Sequence, residues 1–355
     1  MPSITHPANV LVTGANGFIG TWVCKTFLEK GYRVRGTVRS SSKGEYLLEA
    51  FKEYGNRFTY HVVEDFTKSG AFDGAIESIQ VVIHVASPAI PDADDPQVLI
   101  KPALNGTLEL IYSINKCGLD VKRLVLTSSG SAITDPTKPA GTVYTDDDWN
   151  TWSVKQVEEK GRDAGWDKYR ASKILAERAA WDEVKKQDRW DLVAIHPLIT
   201  LGPIIHQVSE PSKLNTSILR LYNILSAGEE ELSSETLLVP DLNFGDVRDV
   251  ALAHLRAAEY EHAGGERFIT CNGAYTWQDA LDLLSAQYPR PLGTPGSGKY
   301  VNHTVFDSTK IRKMLHLDFR SFKETLDDTV FELYRRGWLP TRLDQTRHLI
   351  GGPSK

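Results

Sequence analysis

Apolar and polar positions alternate in blocks along the first half of the chain. Residues 10–13 and 81–86 are short apolar runs, and they, 33–38, 58–63 and 123–127 each read as a strand. Between them, 17–30, 45–54 and 97–117 carry apolar residues at helical spacing, the last with Pro102 marking an irregular start. Gly31 closes the first of these helices. Further on, 167–186 reads as a long helix, 192–196 as a strand, 246–261 as a helix with Asp246 as N-cap, 267–271 as a strand and 277–287 as a helix. Strands that alternate with helices, with apolar runs among them, predict a parallel sheet covered on both faces, a doubly wound α/β fold. The stretch from Pro197 to about Gly245 reads as rich in loops, and 289–299 as an exposed connection rich in proline and glycine. These breaks divide the chain into a first unit, 1–196, to which 243–271 returns, and a smaller lobe from 197–242 and 272–355 that shapes the substrate pocket.

Composition narrows the class. The 355 residues are 41% hydrophobic and 25% charged, with a net charge of −5, which fits a globular protein and gives no electrostatic footprint for nucleic acid. No run approaches the roughly 18 apolar residues that span a bilayer, and the N-terminus lacks the pattern of a secretory signal. Cys24, Cys117 and Cys271 are too few and too scattered for a disulfide framework or a metal site. The expectation is a cytoplasmic enzyme that binds neither nucleic acid, membrane nor metal. Its oligomeric state is not legible.

The first strand runs into Thr13-Gly14-Ala15-Asn16-Gly17-Phe18-Ile19-Gly20 and then into a helix. Gly14 permits the tight turn, Gly17 lets a pyrophosphate approach the backbone at the positive end of the helix, and Gly20 lets helix and sheet pack closely. Strand, turn and helix together make this a dinucleotide site. At the end of the second strand, where an NAD site places an acid for the ribose 2′-hydroxyl, the chain has Val38 and then Arg39-Ser-Ser-Ser-Lys43. A guanidinium and an ammonium suit a 2′-phosphate, so the cofactor predicted is NADPH/NADP+. Gly293 to Lys299 resembles a phosphate loop, but Tyr300 stands where a magnesium-binding hydroxyl belongs and no strand leads into it.

Tyr169 and Lys173 lie four apart on a helix and share a face. A cation beside a phenol favours its ionised form, which brings the tyrosine toward proton exchange near neutral pH. The strand 123–127 ends in Ser128-Ser129, at the carboxyl end of the sheet where ligands bind. Ser129 is thus placed to donate to a carbonyl. Three features at one site point to reduction of an aldehyde or ketone.

With Thr13 to Gly20, Ser129/Tyr169/Lys173, His196 to Pro203 and Asp246 to His254, the chain resembles the extended short-chain dehydrogenase/reductase family, which carries a Rossmann-type sheet. Val34 to Ser40, Val63-Glu-Asp65, His84 to Pro88 and Asp147 to Asn150 resemble the dihydroflavonol reductase-like and fungal NADPH-dependent aldehyde reductase subgroup. The resemblance is loosest between Ile204 and Leu242. It implies that Tyr169 gives a proton to the carbonyl, that Lys173 holds the nicotinamide ribose and that Ser129 polarises the carbonyl. It also implies cofactor contacts at Asp65, Phe66, Ala86, Ser87, Pro88, Thr127, Pro197, Leu198 and Ile199, and a supporting role for Asn105. Gly130, directly after the serine, and Ala89 are small, which predicts a pocket roomier than methylglyoxal needs; Ser131, Ile199 and Trp166 are further candidates to line it. A nucleotide-sugar epimerase or dehydratase, and a dinucleotide sensor without turnover, are the competing readings.

Overall fold

The computed structural model describes residues 4–88, 93–227, 232–240, 242–284 and 293–339. Seven strands build the main sheet: β1 (Asn9–Thr13), β2 (Arg33–Val38), β3 (Phe58–Val62), β4 (Val81–His84), β5 (Arg123–Thr127), β7 (Asp191–Pro197) and β10 (Arg267–Thr270), β6 lying elsewhere. All pair in parallel in the order β3-β2-β1-β4-β5-β7-β10. The order reverses at β1/β4, and the crevice outside the strand ends at such a reversal is where doubly wound folds bind nucleotides.

Strand alternation explains the two layers. Val10 and Val12 face one core with Ile83, Val125 and Val193, while Leu11 faces the other with Val82, Leu124 and Leu192. The first core is closed by α1 (Phe18–Glu29) and α8 (Val247–Glu259), which pack together. The second is closed by α3 (Gln97–Cys117) and α5 (Asp167–Val184). Helix α3 runs unbroken through Pro102, so the expected irregular start is absent. Helix α2 spans Ser41–Ala50, earlier than the 45–54 read from periodicity, and takes Lys43 into its first turn. Asp246 caps α8 as expected, its Oδ1 accepting from the Arg248 amide at 2.8 Å.

The region read as loops holds structure of its own. It contains β8 (Ile199–Leu201), α6 (Thr216–Ser226) and α7 (Ser234–Leu237), and it leads into β9 (Leu242–Asp246). Strand β9 pairs in parallel with β8 and antiparallel with β11 (Ala274–Tyr275), so it belongs to this small sheet, and the return to the large one starts with α8. Ile218 and Leu221 of α6, Trp277 of α9 (Trp277–Leu284) and Phe322, Leu326 and Val330 of α11 (Phe322–Arg335) form a separate core around Phe244. A two-stranded ribbon joins β6 (Val143–Tyr144) to β12 (Val305–Phe306). Helices α4 (Trp152–Lys160) and α10 (Thr309–Met314) complete the described elements; Ile311 of α10 packs into the first core, although it lies inside 272–355. The phosphate-loop look-alike is a packed turn: the Thr294 and Gly296 amides donate to Gln278 Oε1 (3.1 Å) and Asp282 Oδ2 (2.7 Å) of α9, which uses the amides that a phosphate would need.

Candidate active site

The glycine turn has the shape its spacing predicts. Gly14 has φ +65°, and a β-carbon there would come within 2.9 Å of the Ala86 backbone. At Gly20 a β-carbon would stand 2.2 Å from the Gly14 carbonyl oxygen. Gly17 differs: the nearest atom to a β-carbon would be 3.4 Å away, an ordinary contact, and the residue is exposed. Nothing within the chain requires glycine at 17, whereas a group approaching from outside would. Gly17 is also the N-cap of α1, with no side-chain cap and no acid in the first turn, so the first amides are turned to an anion. Those features fit a pyrophosphate. Thr21 fastens the turn by donating to Ala15 O at 2.9 Å, and Ile19 packs between two cores.

At the ends of β2 and β3, Arg39 is exposed and close enough to Asp65 to help hold its carboxyl below the usual range, after the larger effect of the Thr67 hydroxyl and amide. Asp65 Oδ1 accepts from both of those groups, so this carboxylate also fastens a local turn. Lys43 Nζ donates to Gln207 Oε1 at 2.9 Å, which links the cofactor side to the second lobe. The same stretch, 203–208, is anchored by Trp22 Nε1 to Pro203 O (2.8 Å), Tyr46 OH to Ile205 O (3.2 Å) and Arg336 Nη2 to Ile204 O (2.8 Å), and His206 lies against Phe18. No sequence signal pointed to these partners. The arginine and lysine fit a 2′-phosphate, and among the described residues no cluster of His, Cys, Asp or Glu could hold a metal.

On the reaction side, Tyr169, Lys173 and Glu177 follow one another at one-turn intervals along α5. Ser129 Oγ accepts from the Ser131 amide at 3.1 Å and is near enough to the Tyr169 phenol to act on its pKa. Burial of the hydroxyl raises the Tyr169 pKa above the ordinary value, and Ser129 opposes it less strongly. This corrects the expectation of a phenol drawn toward ionisation by its lysine. Desolvation wins, and the group is held protonated. Lys173 is buried and pushed down to about 8 by that burial, with the Glu177 charge acting against the shift.

The floor beneath is polar and fully paired. Thr13 Oγ1 accepts from the Val85 and Ala86 amides, each at 3.1 Å, and so donates its proton to His84 Nδ1 at 2.8 Å. His84 Nε2–H then faces Thr107 Oγ1 at 3.3 Å. Burial, aided by the Lys173 charge, lowers the His84 pKa to about 3, so the ring is neutral. Gly106 lies under the Phe66 ring, where a β-carbon would be 2.1 Å from Phe66 Cδ2, and Asn105 before it is exposed. The Thr127 hydroxyl pairs with His254 Nε2 at 2.8 Å, and Thr127, Ala86 and Ser87 line a small cavity with Lys173. Pro88 is buried at the edge of the described chain, and Ala89 lies outside the described residues.

Two substrate-side expectations change. The space beside Gly130 is filled: a β-carbon there would be 2.0 Å from Leu198 Cδ1, so the missing side chain makes room for Leu198 rather than for ligand. Trp166 is 57% exposed just before α5 and forms no closed wall. Ser131 O accepts from Asn150 Nδ2 at 3.1 Å. Pro197 and Ile199 flank Leu198 at the junction of β7 and β8. Glu177, which sequence reasoning passed over, was reachable by continuing the Tyr169/Lys173 spacing one more turn.

A model of the NAD dependent epimerase/dehydratase family matches residues 10–270. The chain belongs to that family. Among its relatives, it is 35% identical over 351 residues to the NADPH-dependent methylglyoxal reductase GRE2 of Saccharomyces cerevisiae, covering 92% of this chain and 98% of the other. It is 36% identical over 339 residues to the ketoreductase azaE of Aspergillus niger, covering 90% and 96%. The crystal structure of yeast methylglyoxal/isovaleraldehyde reductase Gre2 complexed with NADPH superposes with a TM-score of 0.82 at 33% identity, over 93% of this chain and all of that one. Family membership, the reductase relatives and the NADPH-bound neighbour agree with the extended dehydrogenase/reductase reading.

Proposed function

We propose that this family member is an NADPH-dependent reductase that converts an aldehyde or ketone to the alcohol. The observation that carries the reading is the half-buried Tyr169 near Ser129 and one helical turn from Lys173, at the carboxyl edge of the sheet and beside a glycine turn with room for a pyrophosphate. When bound, the reduced nicotinamide supplies the hydride. The chain's own groups do the rest. Ser129 orients and polarises the carbonyl oxygen, and Tyr169, held protonated, gives that oxygen its proton. Lys173 carries the positive charge that steadies the phenolate left behind and holds the ribose. Asn16, Phe18, Ile19, Ala86 and Ser87 border the cofactor, and Arg39 with Lys43 clasps the 2′-phosphate. The lobe from 197–242 and 272–355 shapes the substrate side. Among the described residues no helix is long and apolar enough to cross a membrane. Action in the cytoplasm on a diffusible small molecule completes the reading.

Purified protein is expected to oxidise NADPH with a panel of aryl and branched ketones, and Tyr169→Phe to lose that turnover by about 100-fold or more. An unchanged rate in Tyr169→Phe would sink the mechanism. Neutralising Arg39 and Lys43 together should raise KM for NADPH about tenfold or more while leaving that for NADH nearly unchanged. An equal rise for both would remove the phosphate clasp. The Arg39/Lys43 pair also stands against the epimerase alternative, which keeps an acid at this place for NAD.

A further inference from the structure

Glu177 is fully buried, yet it is an anion with four partners from four directions. Its Oε2 accepts from Ser128 Oγ at 2.5 Å and lies 2.9 Å from His196 Nε2. Its Oε1 accepts from Arg267 Nε at 2.8 Å and from Trp181 Nε1 at 3.2 Å. Arg267 is fixed in turn: Nη1 donates to the Asp146 and Asp148 carbonyls at 2.6 and 2.7 Å, and the guanidinium lies 3.9 Å from the centre of the Trp149 ring. A carboxylate removed from water is costly unless it is fully paired. This one is paired, and it reaches no solvent. Stability alone does not ask for an ion pair here, because apolar side chains of the same volume serve a core at least as well.

The position of the pair gives it a use. Lys173 and Glu177 are one turn apart on α5, and both line the same small cavity of about 10 Å³, the scale of a single water molecule. The other polar side chains there are His84 from β4, Ser87, Thr107 from α3, Thr127 at the end of β5 and Ser128 just after it. Of the charged or titratable groups facing Lys173, His84 is neutral, Tyr169 is a protonated phenol, and Arg267 and His196 stand behind the carboxylate. Glu177 is the one anion in this set, and desolvation by the surrounding floor works to strip Lys173 of its proton.

We propose that Glu177 is a positioning residue for Lys173, its buried carboxylate serving as the fixed counter-charge to the ammonium one helical turn away across the cavity they share. Ser128 and Arg267 hold that carboxylate in place, so β5 and β10 both help set the charge of a residue they do not carry. The inference rests on the Ser129/Tyr169/Lys173 reading and extends it below the reacting groups.

The test reads Lys173 itself. With [13Cε]lysine protein, the Lys173 resonance is assigned by its loss in Lys173→Met and followed against pH without cofactor. In the wild type it should titrate near 8. In Glu177→Gln it should titrate about one pH unit or more lower, because the anion is gone and the Arg267 charge is left uncompensated. NADPH affinity, followed by its fluorescence, should begin to weaken at correspondingly lower pH. Arg267→Met, which removes the cation and leaves the anion, should move Lys173 the opposite way, and it serves where Glu177→Gln does not fold by circular dichroism. A residue that only supports packing would not shift the two variants in opposite senses. A Lys173 that titrates at the wild-type pH in folded Glu177→Gln, or that falls in Arg267→Met, overturns the proposal. If Tyr169→Phe is inactive while Lys173 does not move, the inference fails and the reductase reading stands. If Tyr169→Phe stays active, that reading fails whatever Lys173 does.

Discussion

Two corners of the crevice are built on glycine, and for opposite reasons. At the cofactor corner, Gly14 and Gly20 are pressed against backbone, the Ala86 main chain in one case and the Gly14 carbonyl in the other. No rotamer change can make room there. At the corner beside Ser129, Gly130 is pressed against the end of one side chain, Leu198. The first geometry is set by the path of the chain, while the second is set by how one leucine lies. A contact of the second kind can be altered with far less disturbance to the fold.

The contrast yields expectations of decreasing size. Gly20→Ala should be the most damaging, costing about 3 kcal/mol or more, because a β-carbon 2.2 Å from a carbonyl oxygen forces helix from sheet. The urea midpoint measures it. Gly17→Ala should leave the fold within about 1 kcal/mol of the wild type, yet weaken NADPH binding about tenfold or more, since the space it fills is the ligand's. A Gly17→Ala protein that binds NADPH normally by fluorescence titration would show that no pyrophosphate approaches there. Gly130→Ala should cost about 1 kcal/mol, and in a Leu198→Ala background that cost should vanish. Leu198→Ala alone should raise kcat/KM for bulky ketones a few-fold over small aldehydes. Should Gly130→Ala cost as much with the leucine as without it, the distinction between the two corners collapses.

The parts that were legible in the sequence share one property: local pattern determines them. The seven sheet strands are short runs set between helices, and the glycine turn sits between a strand and a helix, so each was readable from its neighbours. Helix α6 was readable too, with Ile218, Leu221 and Leu225 at helical spacing, but the loop-like residues around it obscured the signal. Contacts between distant segments were beyond reach. Val143 pairs with Val305, Lys43 meets Gln207, and Leu198 occupies the space beside Gly130. The phenol was misjudged for the same reason, because desolvation depends on what the whole fold lays over Tyr169, and the Tyr-to-Lys spacing carries only the pairwise attraction.

The strap at 203–208 has a consequence for how such a chain can change over generations. Pro203, Ile204, Ile205 and Val208 are all gripped by their own main-chain carbonyls, through Trp22, Tyr46 and Arg336. Every residue type carries that carbonyl. The course of the strap over the cofactor side is therefore largely indifferent to its spelling, so substitutions can accumulate from residue 204 onward while the path persists. The strap's route is thus written in the residues that hold it.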